Sequence, residues 1–79
     1  MTPHQPVVTA QQLIRVAEHL GFHFDRQNGS HAVYYRETDR ARIVVPMHQG
    51  KSLKPKTLIG ILHDMGLTVD QFRDHLSGK

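Results

Sequence analysis

A histidine stands directly after the tightest turn that the sequence predicts. Asn28-Gly29 is the strongest short-range signal for a two-residue β-hairpin turn, because both central residues of a type I′ turn require positive φ. His31 follows that turn after one serine, and runs containing aromatic and β-branched residues flank it. An imidazole gains and loses a proton near neutral pH, so a histidine just past a hairpin turn suits general acid–base chemistry.

The predicted hairpin brings a cation to that histidine. A turn centred on Asn28-Gly29 pairs Arg26 with His31 and Phe24 with Val33 across two antiparallel strands. We therefore expect His31 beside Arg26, on the same face as the core residues and at the open end of the sheet. The alternative is a partly buried structural histidine that donates a hydrogen bond to a backbone carbonyl.

A basic loop before a helix is the second candidate site. Its members are Gly50, Lys51, Lys54 and Lys56. Pro55 suits the first position of a helix, and the free N–H groups and dipole of a helix N-terminus favour an anion. In an antiparallel sheet this loop lies at the same end as the hairpin turn, so His31, Arg26 and Lys51 could meet on one phosphate. The alternative is three unrelated solvated charges.

Positive charge is concentrated in the middle of the chain. The 79 residues carry a net charge of +3, and residues 26–56 contain seven Lys or Arg against two acidic residues. No acidic residue lies between Arg40 and Lys56. A one-sided basic strip is typical of a protein that binds a polyanion, although the same charges can simply keep a surface solvated.

Composition excludes several other classes of protein. The absence of cysteine excludes disulfides and thiolate metal sites and fits a reducing cytosol. The seven histidines form no His-Glu-x-x-His motif, so we expect neither a metal nor a cofactor. The N-terminus has no signal-peptide pattern, and the longest apolar run, 43–47, is too short to cross a bilayer. We expect a cytoplasmic protein with no membrane span.

Hydrophobic periodicity predicts one α+β domain over residues 1–79, with residues 1–8 as a flexible lead. Capping boxes at Thr9 and Thr68 predict two helix starts, and Pro55 predicts a third. Alternating apolar residues predict strands at about 22–27, 30–37 and 41–47. The order α-β-β-β-α-α predicts a three-stranded antiparallel sheet with helices on one face, in which Pro46 marks the third strand as an edge.

The facing of the third strand decides whether a second histidine can join the first. Apolar content favours Ile43, Val45 and Met47 pointing toward the core. With that choice, His48 lies on the opposite face from His31. A slip of one residue would reverse the arrangement, because side chains alternate between faces with a period of two.

Five short motifs are each weak alone but specific in their order and spacing. They are Gly21-Phe22, Arg26-Gln27-Asn28-Gly29-Ser30-His31, Val44-Val45-Pro46 with His48, Lys54-Pro55 with Thr57-Leu58, and Gly66-Leu67-Thr68. Over residues 9–76 the chain therefore resembles the HicA toxin family, the small messenger-RNA interferases of bacterial and archaeal toxin–antitoxin pairs.

The resemblance implies a fold similar to double-stranded-RNA-binding domains, which agrees with the predicted order of elements. It also implies that His31 is the catalytic residue of a toxin that cleaves messenger RNA. A HicB-type antitoxin protein would neutralise the toxin by binding over its active site. A homodimer and a toxin–antitoxin hetero-oligomer are both compatible with the sequence.

We therefore predict a metal-independent endoribonuclease with a single catalytic histidine. Neutral His31 removes a proton from a ribose 2′-hydroxyl, and the oxygen attacks the adjacent phosphate to leave a 2′,3′-cyclic phosphate. The predicted RNA-binding residues are Arg26, Ser30, Lys51, Lys54 and Lys56. His48 is the obvious proton donor for the leaving oxygen, but its predicted facing places it badly.

Two other functions fit the same residues. A non-catalytic RNA-binding module would use the basic strip 26–56, and its affinity would depend on salt through counterion release. A pure interaction protein would recruit a partner by strand addition at the edge of the third strand, with no affinity for RNA.

Overall fold

The computed structural model describes residues 7–48 and 51–78, which form three helices and three strands. In chain order these are α1 (Ala10–His19), β1 (His23–Asn28), β2 (His31–Arg36), β3 (Ala41–Pro46), α2 (Pro55–Met65) and α3 (Val69–Leu76). The strands form one antiparallel sheet in the order β1-β2-β3. The predicted α-β-β-β-α-α fold is confirmed, and Pro46 lies in an edge strand as expected.

Local side chains fix the helix ends where the sequence predicted them. The hydroxyls of Thr9 and Thr68 each accept a hydrogen bond from the backbone N–H three residues later. The glutamine at that later position, Gln12 or Gln71, accepts a hydrogen bond from the threonine N–H through its side-chain oxygen, so both capping boxes form. Pro55 is the first residue of α2, and Gly66 ends that helix in the left-handed conformation at φ +76.

The core lies between the helices and one face of the sheet. Its largest fully buried side chains are Val8, Leu13, Phe22, Ile43, Val45, Leu58, Leu62 and Phe72. The burial of Val8 shows that it belongs to the core and not to the flexible lead predicted for residues 1–8. The first six residues of that lead lie outside the part of the chain that the structure describes.

The hairpin turn is shifted by one residue from the predicted position. Asn28 pairs with His31, so the central residues of the turn are Gly29 and the serine after it. Only the glycine has positive φ, at +56, which is the pattern of a type II′ turn and not of type I′. Arg26 therefore lies opposite Val33, and its predicted pairing with His31 is wrong.

A β-bulge in β1 changes the pairing again further from the turn. Asp25 is the extra residue, and beyond it Phe24 lies opposite Tyr34 instead of the predicted Val33. The two rings meet edge to face with their centroids 5.6 Å apart. All residues of β1 are exposed, so the buried face predicted for this strand is wrong, and Phe22 enters the core from the position before it.

The corrected register moves the candidate histidine to the other face of the sheet. Ala32 and Tyr34 are the β2 residues of the main core cluster, Val33 is buried outside that cluster, and Ile43 and Val45 point inward from β3 as predicted. His31 is exposed and, by alternation, faces away from the helices. Its predicted position on the core face is therefore wrong, because one residue of slip reverses every side chain.

Arg36 connects the sheet to the ends of two helices. Its guanidinium donates two hydrogen bonds to the Asp39 carboxylate, at 2.9 and 2.8 Å. It also donates to the backbone carbonyls of Leu20 at 3.1 Å and Met65 at 3.4 Å, and it lies 4.4 Å from the centroid of the Phe22 ring. The two carbonyls are at the C-terminal ends of α1 and α2, where helices leave acceptors unpaired.

We expect the Arg36–Asp39 pair to make stability depend on pH below pH 4. The hydrogen bonds from Arg36 lower the pKa of the Asp39 carboxyl from 3.8 to about 2. Because the folded pKa lies below the unfolded one, the stabilisation is complete above about pH 4 and is lost as the pH falls toward 2. Asp39→Asn should therefore lower Tm at pH 7 and converge with the parent near pH 2, as measured by thermal denaturation. Parallel Tm curves for the two proteins across this range would contradict the expectation.

We expect Gly60→Ala to stabilise the protein. Gly60 lies in the middle of α2 without positive φ, and a β-carbon added there would meet no atom within 4 Å. A glycine inside a helix costs about 0.5–1 kcal/mol relative to alanine. The free energy of unfolding, measured in urea, should rise by about that amount. Gly66→Ala is the matched control and should have the opposite sign, because φ +76 strains any L side chain.

Candidate active site

A cavity of about 370 Å³ lies at the end of the sheet where β2 begins and β3 ends. We call it the basic cavity, and its lining residues are His31, Pro46, His48, Lys51, Ser52, Leu53, Lys54 and Thr57. The structure thus brings together the histidine after the hairpin, the residues that follow the third strand and the basic loop before α2.

The corrected register explains why two histidines line the same cavity. His31 pairs with Pro46, and cross-strand partners share a face. The backbone N–H of Met47 donates to the carbonyl of Ser30 at 2.6 Å, so the ladder continues one residue beyond β3. His48, two residues past Pro46, returns to the face of His31. The predicted separation of the two histidines is wrong, because His31 had been assigned to the core face.

The loop that carries the lysines is attached to the beginning of α1. The backbone N–H of Leu53 donates to the carbonyl of Val8 at 2.7 Å, and Thr9 and Ser52 form an isolated antiparallel bridge. The Leu53 side chain also packs against the core. Residues 51–54 therefore present their lysines from an anchored segment. Gly50, which the sequence placed in the same loop, lies outside the described residues.

The basic cavity is electropositive. The side chains of Lys51, Lys54 and the two histidines are exposed and make no ion pair or hydrogen bond with any residue of 7–48 or 51–78. α2 begins here with no side-chain cap and no acidic residue in its first turn. The backbone N–H groups of Lys56 and Thr57 have no acceptor within the described part of the chain. Free N–H groups and the helix dipole both favour an anion at this position.

Three of the predicted RNA-binding residues lie outside the cavity lining. Arg26 shares the face of His31 but stands one diagonal step away, and its guanidinium forms an ion pair with Asp25 at 2.7 Å. Ser30 is exposed in the hairpin turn next to His31. Lys56 lines a neighbouring groove instead. The structure therefore does not place Arg26 and Lys51 in the same cavity around His31.

The neighbouring groove runs between β3 and α2 and has a volume of about 650 Å³. Its lining residues are Arg42, Val44, Lys56, Thr57, Ile59, Gly60, Ile61, His63 and Asp64. Thr57 lines both the groove and the basic cavity. The groove combines two cations, Arg42 and Lys56, with the exposed aliphatic side chains of Val44 and Ile59. The groove exists because of the way α2 packs beside the edge strand β3, and no local sequence pattern predicts that packing.

Sequence reasoning missed two polar residues of the basic cavity, Ser52 and Thr57. A signal for Thr57 existed, because Pro55 at the first helical position puts Thr57 at the third, where the backbone N–H lacks a partner within the helix. Ser52 had no comparable signal. It reaches the cavity through its bridge to Thr9, which is a tertiary contact.

Two further structural findings concern metals and membranes. Within residues 7–48 and 51–78, no three His, Cys, Asp or Glu side chains come together in a way that could hold a metal ion. No helix in the same ranges is both long and apolar enough to cross a membrane. The groups that the basic cavity does offer, two imidazoles and two ammonium groups, suit proton transfer and charge stabilisation at a phosphodiester.

Comparison with known proteins gives a family match over most of the chain. The family model described as "HicA toxin of bacterial toxin-antitoxin" matches residues 10–67. The matched range begins with α1, contains the whole sheet and the basic cavity, and ends just after α2. No curated protein matches the chain.

Proposed function

This chain belongs to the HicA toxin family, and we propose that it acts by cleaving RNA with His31 as the catalytic residue. Membership of the family makes the chain a toxin of a toxin–antitoxin system and implies a cognate antitoxin partner. The observation that carries the proposal is the basic cavity, in which the His31 imidazole, without a hydrogen bond or ion pair to any described residue, lies with Lys51 and Lys54.

The proposed reaction is a transfer of the phosphoryl group within the RNA chain. Neutral His31 removes the proton of a ribose 2′-hydroxyl, and the 2′-oxygen forms a bond to the adjacent phosphorus. The bond from phosphorus to the 5′-oxygen breaks, and the products carry a 2′,3′-cyclic phosphate and a 5′-hydroxyl. A positioned acid–base residue typically contributes about 10²–10⁴-fold to such a rate.

The cations of the basic cavity would stabilise the charge that builds on the phosphate. Lys51 and Lys54 line the cavity with His31, and the backbone N–H groups of Lys56 and Thr57, in the first turn of α2, have no acceptor among the described residues. Charge stabilisation of this type is often the largest single contribution to catalysis. The sequence suggested Arg26 and Lys51 for this role, but the ion pair of Arg26 with Asp25 makes Lys51 and Lys54 the better candidates.

The remaining predicted RNA-binding residues would contact nucleotides that flank the cleaved bond. Ser30 is adjacent to His31, Arg26 shares its face, and Lys56 lines the groove that continues from the basic cavity. Only single-stranded or locally opened RNA would present its backbone in the required in-line geometry. We further propose that a HicB-type antitoxin inhibits the toxin by covering the basic cavity.

One incubation tests the proposal against its two alternatives. A labelled single-stranded RNA is incubated with the protein in the presence of EDTA and at several salt concentrations, with DNA of the same sequence as control. We expect RNA fragments that end in a 2′,3′-cyclic phosphate and intact DNA, because DNA lacks the 2′-hydroxyl. RNA that is bound in a salt-dependent way but stays intact would identify a binding module. Absence of both binding and cleavage would identify an interaction protein.

A further inference from the structure

Cleavage through a 2′-oxygen needs two proton transfers, and the proposed function accounts for one. His31 takes a proton from the attacking hydroxyl. The 5′-oxygen leaves as an alkoxide unless another group gives it a proton, and that expulsion is unfavourable near neutral pH. Resting on the proposed function, we propose that His48 is the second catalytic residue and protonates the 5′-oxygen as its bond to phosphorus breaks.

The register of the sheet sets the separation of the two histidines. His31 lies opposite Pro46, and His48 is two residues further along the strand that the Met47 hydrogen bond extends. Diagonal neighbours of this kind have α-carbons about 7–8 Å apart. Both residues line the basic cavity, so a phosphate bound between them would have an imidazole on either side.

The geometry of the reaction requires such a flanking arrangement. The attacking and leaving oxygens stand roughly in line on opposite sides of phosphorus. A base and an acid each act within about 2.6–3.2 Å of their own oxygen, and an imidazole that takes the 2′-hydroxyl proton on one side of phosphorus is poorly placed to protonate the oxygen on the other side. Two histidines on the same face at a diagonal spacing approach a single phosphate from two directions.

His48 is better suited to donate the proton than the other groups that line the cavity. Its imidazole is exposed and has no hydrogen bond or ion pair with the described residues. Its carbonyl accepts a hydrogen bond from the backbone N–H of Lys51 at 3.1 Å, which ties the residue to the anchored loop. Ammonium groups and aliphatic hydroxyls release a proton far less readily than imidazolium near pH 7. His19, His23, His63 and His75 do not line the cavity.

The complete step balances in atoms and charge. The 2′-hydroxyl proton moves to His31, the bond from the 2′-oxygen to phosphorus forms, and the bond from phosphorus to the 5′-oxygen breaks with its electron pair on oxygen. The proton of the His48 imidazolium joins that oxygen. Exchange with water then restores the two protonation states.

A change of leaving group tests His48 separately from His31. An RNA is made in which sulfur replaces the 5′-oxygen at the mapped cleavage site, because a thiol is much more acidic than an alcohol and a thiolate leaves without a proton. His48→Ala and His48→Gln should slow cleavage of ordinary RNA by about 10²–10⁴-fold. On the sulfur-containing RNA, both variants should cleave within about tenfold of the parent, whereas His31→Ala should be slow on both substrates.

The controls separate failure of this inference from failure of the proposed function. His23→Ala alters an exposed histidine at the far end of the sheet, opposite Tyr35, and should cleave both RNAs at the parent rate. Unchanged cleavage of ordinary RNA by the His48 variants, or an equal loss on both substrates, would overturn the role of His48 alone. A parent protein that cuts neither RNA would overturn the proposed function itself.

Discussion

His31→Ala should slow RNA cleavage by orders of magnitude while the fold and the affinity for RNA stay unchanged. The imidazole is exposed and makes no hydrogen bond within residues 7–48 and 51–78, so its removal leaves no cavity in the core and no unpaired buried group. The lysines that would hold the phosphate remain in place. We expect the single-turnover rate on labelled RNA to fall by about 10²–10⁴-fold, which is the usual contribution of a positioned base.

Two further measurements show whether the His31 variant has lost chemistry, folding or RNA binding. The Tm and the affinity for RNA at fixed salt should match those of the parent, which would separate lost chemistry from lost structure or binding. Expression of His31→Ala should also no longer arrest growth, whereas His23→Ala should behave as the parent. A variant of His31 that cuts RNA as fast as the parent would show that another group removes the 2′-hydroxyl proton.

The sequence predicted the features that depend on neighbouring residues. The capping boxes at Thr9 and Thr68, the start of α2 at Pro55 and its end at Gly66 are all present, because each is decided within a few residues of the chain. The edge position of Pro46 followed from its missing N–H group. The family inferred from the short motifs is also confirmed, because the matching family model covers residues 10–67.

The strand register could not be obtained in the same way. Gly29 can be the second central residue of a type I′ turn or the first of a type II′ turn, and the flanking residues do not distinguish the two. The bulge at Asp25 then absorbs one residue, so Phe24 lies on the same face as Tyr34 despite the shifted turn, although its side chain stays exposed. The error of one residue left the fold prediction intact but reversed the facing of His31, on which the chemistry depends.

The composition of the site was predicted only in part, because its shape arises from tertiary contacts. His31, Arg26 and Lys51 were expected to converge; His31 and Lys51 line the basic cavity together with Lys54, but Arg26 does not. The segment that carries the lysines is held by the hydrogen bond from Leu53 to Val8 and by the bridge between Ser52 and Thr9, both to residues far earlier in the chain. No sequence pattern at Val8 or Thr9 predicts a contact with the lysine segment. Only the structure shows that the residues before α1 anchor that segment.

Arg36→Met should be the most destabilising single change outside the apolar core. Only 18% of the Arg36 side chain is exposed. Its guanidinium donates hydrogen bonds to the Asp39 carboxylate and to the carbonyls of Leu20 and Met65. Methionine has a similar length but no donors, so the carboxylate loses its partner and two helix ends lose a hydrogen bond. Hydrogen bonds to charged groups contribute about 1.5–3 kcal/mol each, with strong overlap within one network. We expect the free energy of unfolding in urea to fall by about 2–4 kcal/mol.

The comparison with two other variants identifies which contacts matter. Asp39→Asn removes the carboxylate but leaves the bonds from Arg36 to the helix ends, so it should destabilise the protein less than Arg36→Met does. Arg42→Met is the matched control, because Arg42 also lies over a ring, 5.8 Å from the centroid of Tyr35, but is exposed and makes no ion pair with the described residues. Its effect should stay within about 0.5 kcal/mol. Equal losses for Arg36→Met and Asp39→Asn would mean that the helix-end bonds contribute nothing and that the ion pair within the β2–β3 connection accounts for the whole effect.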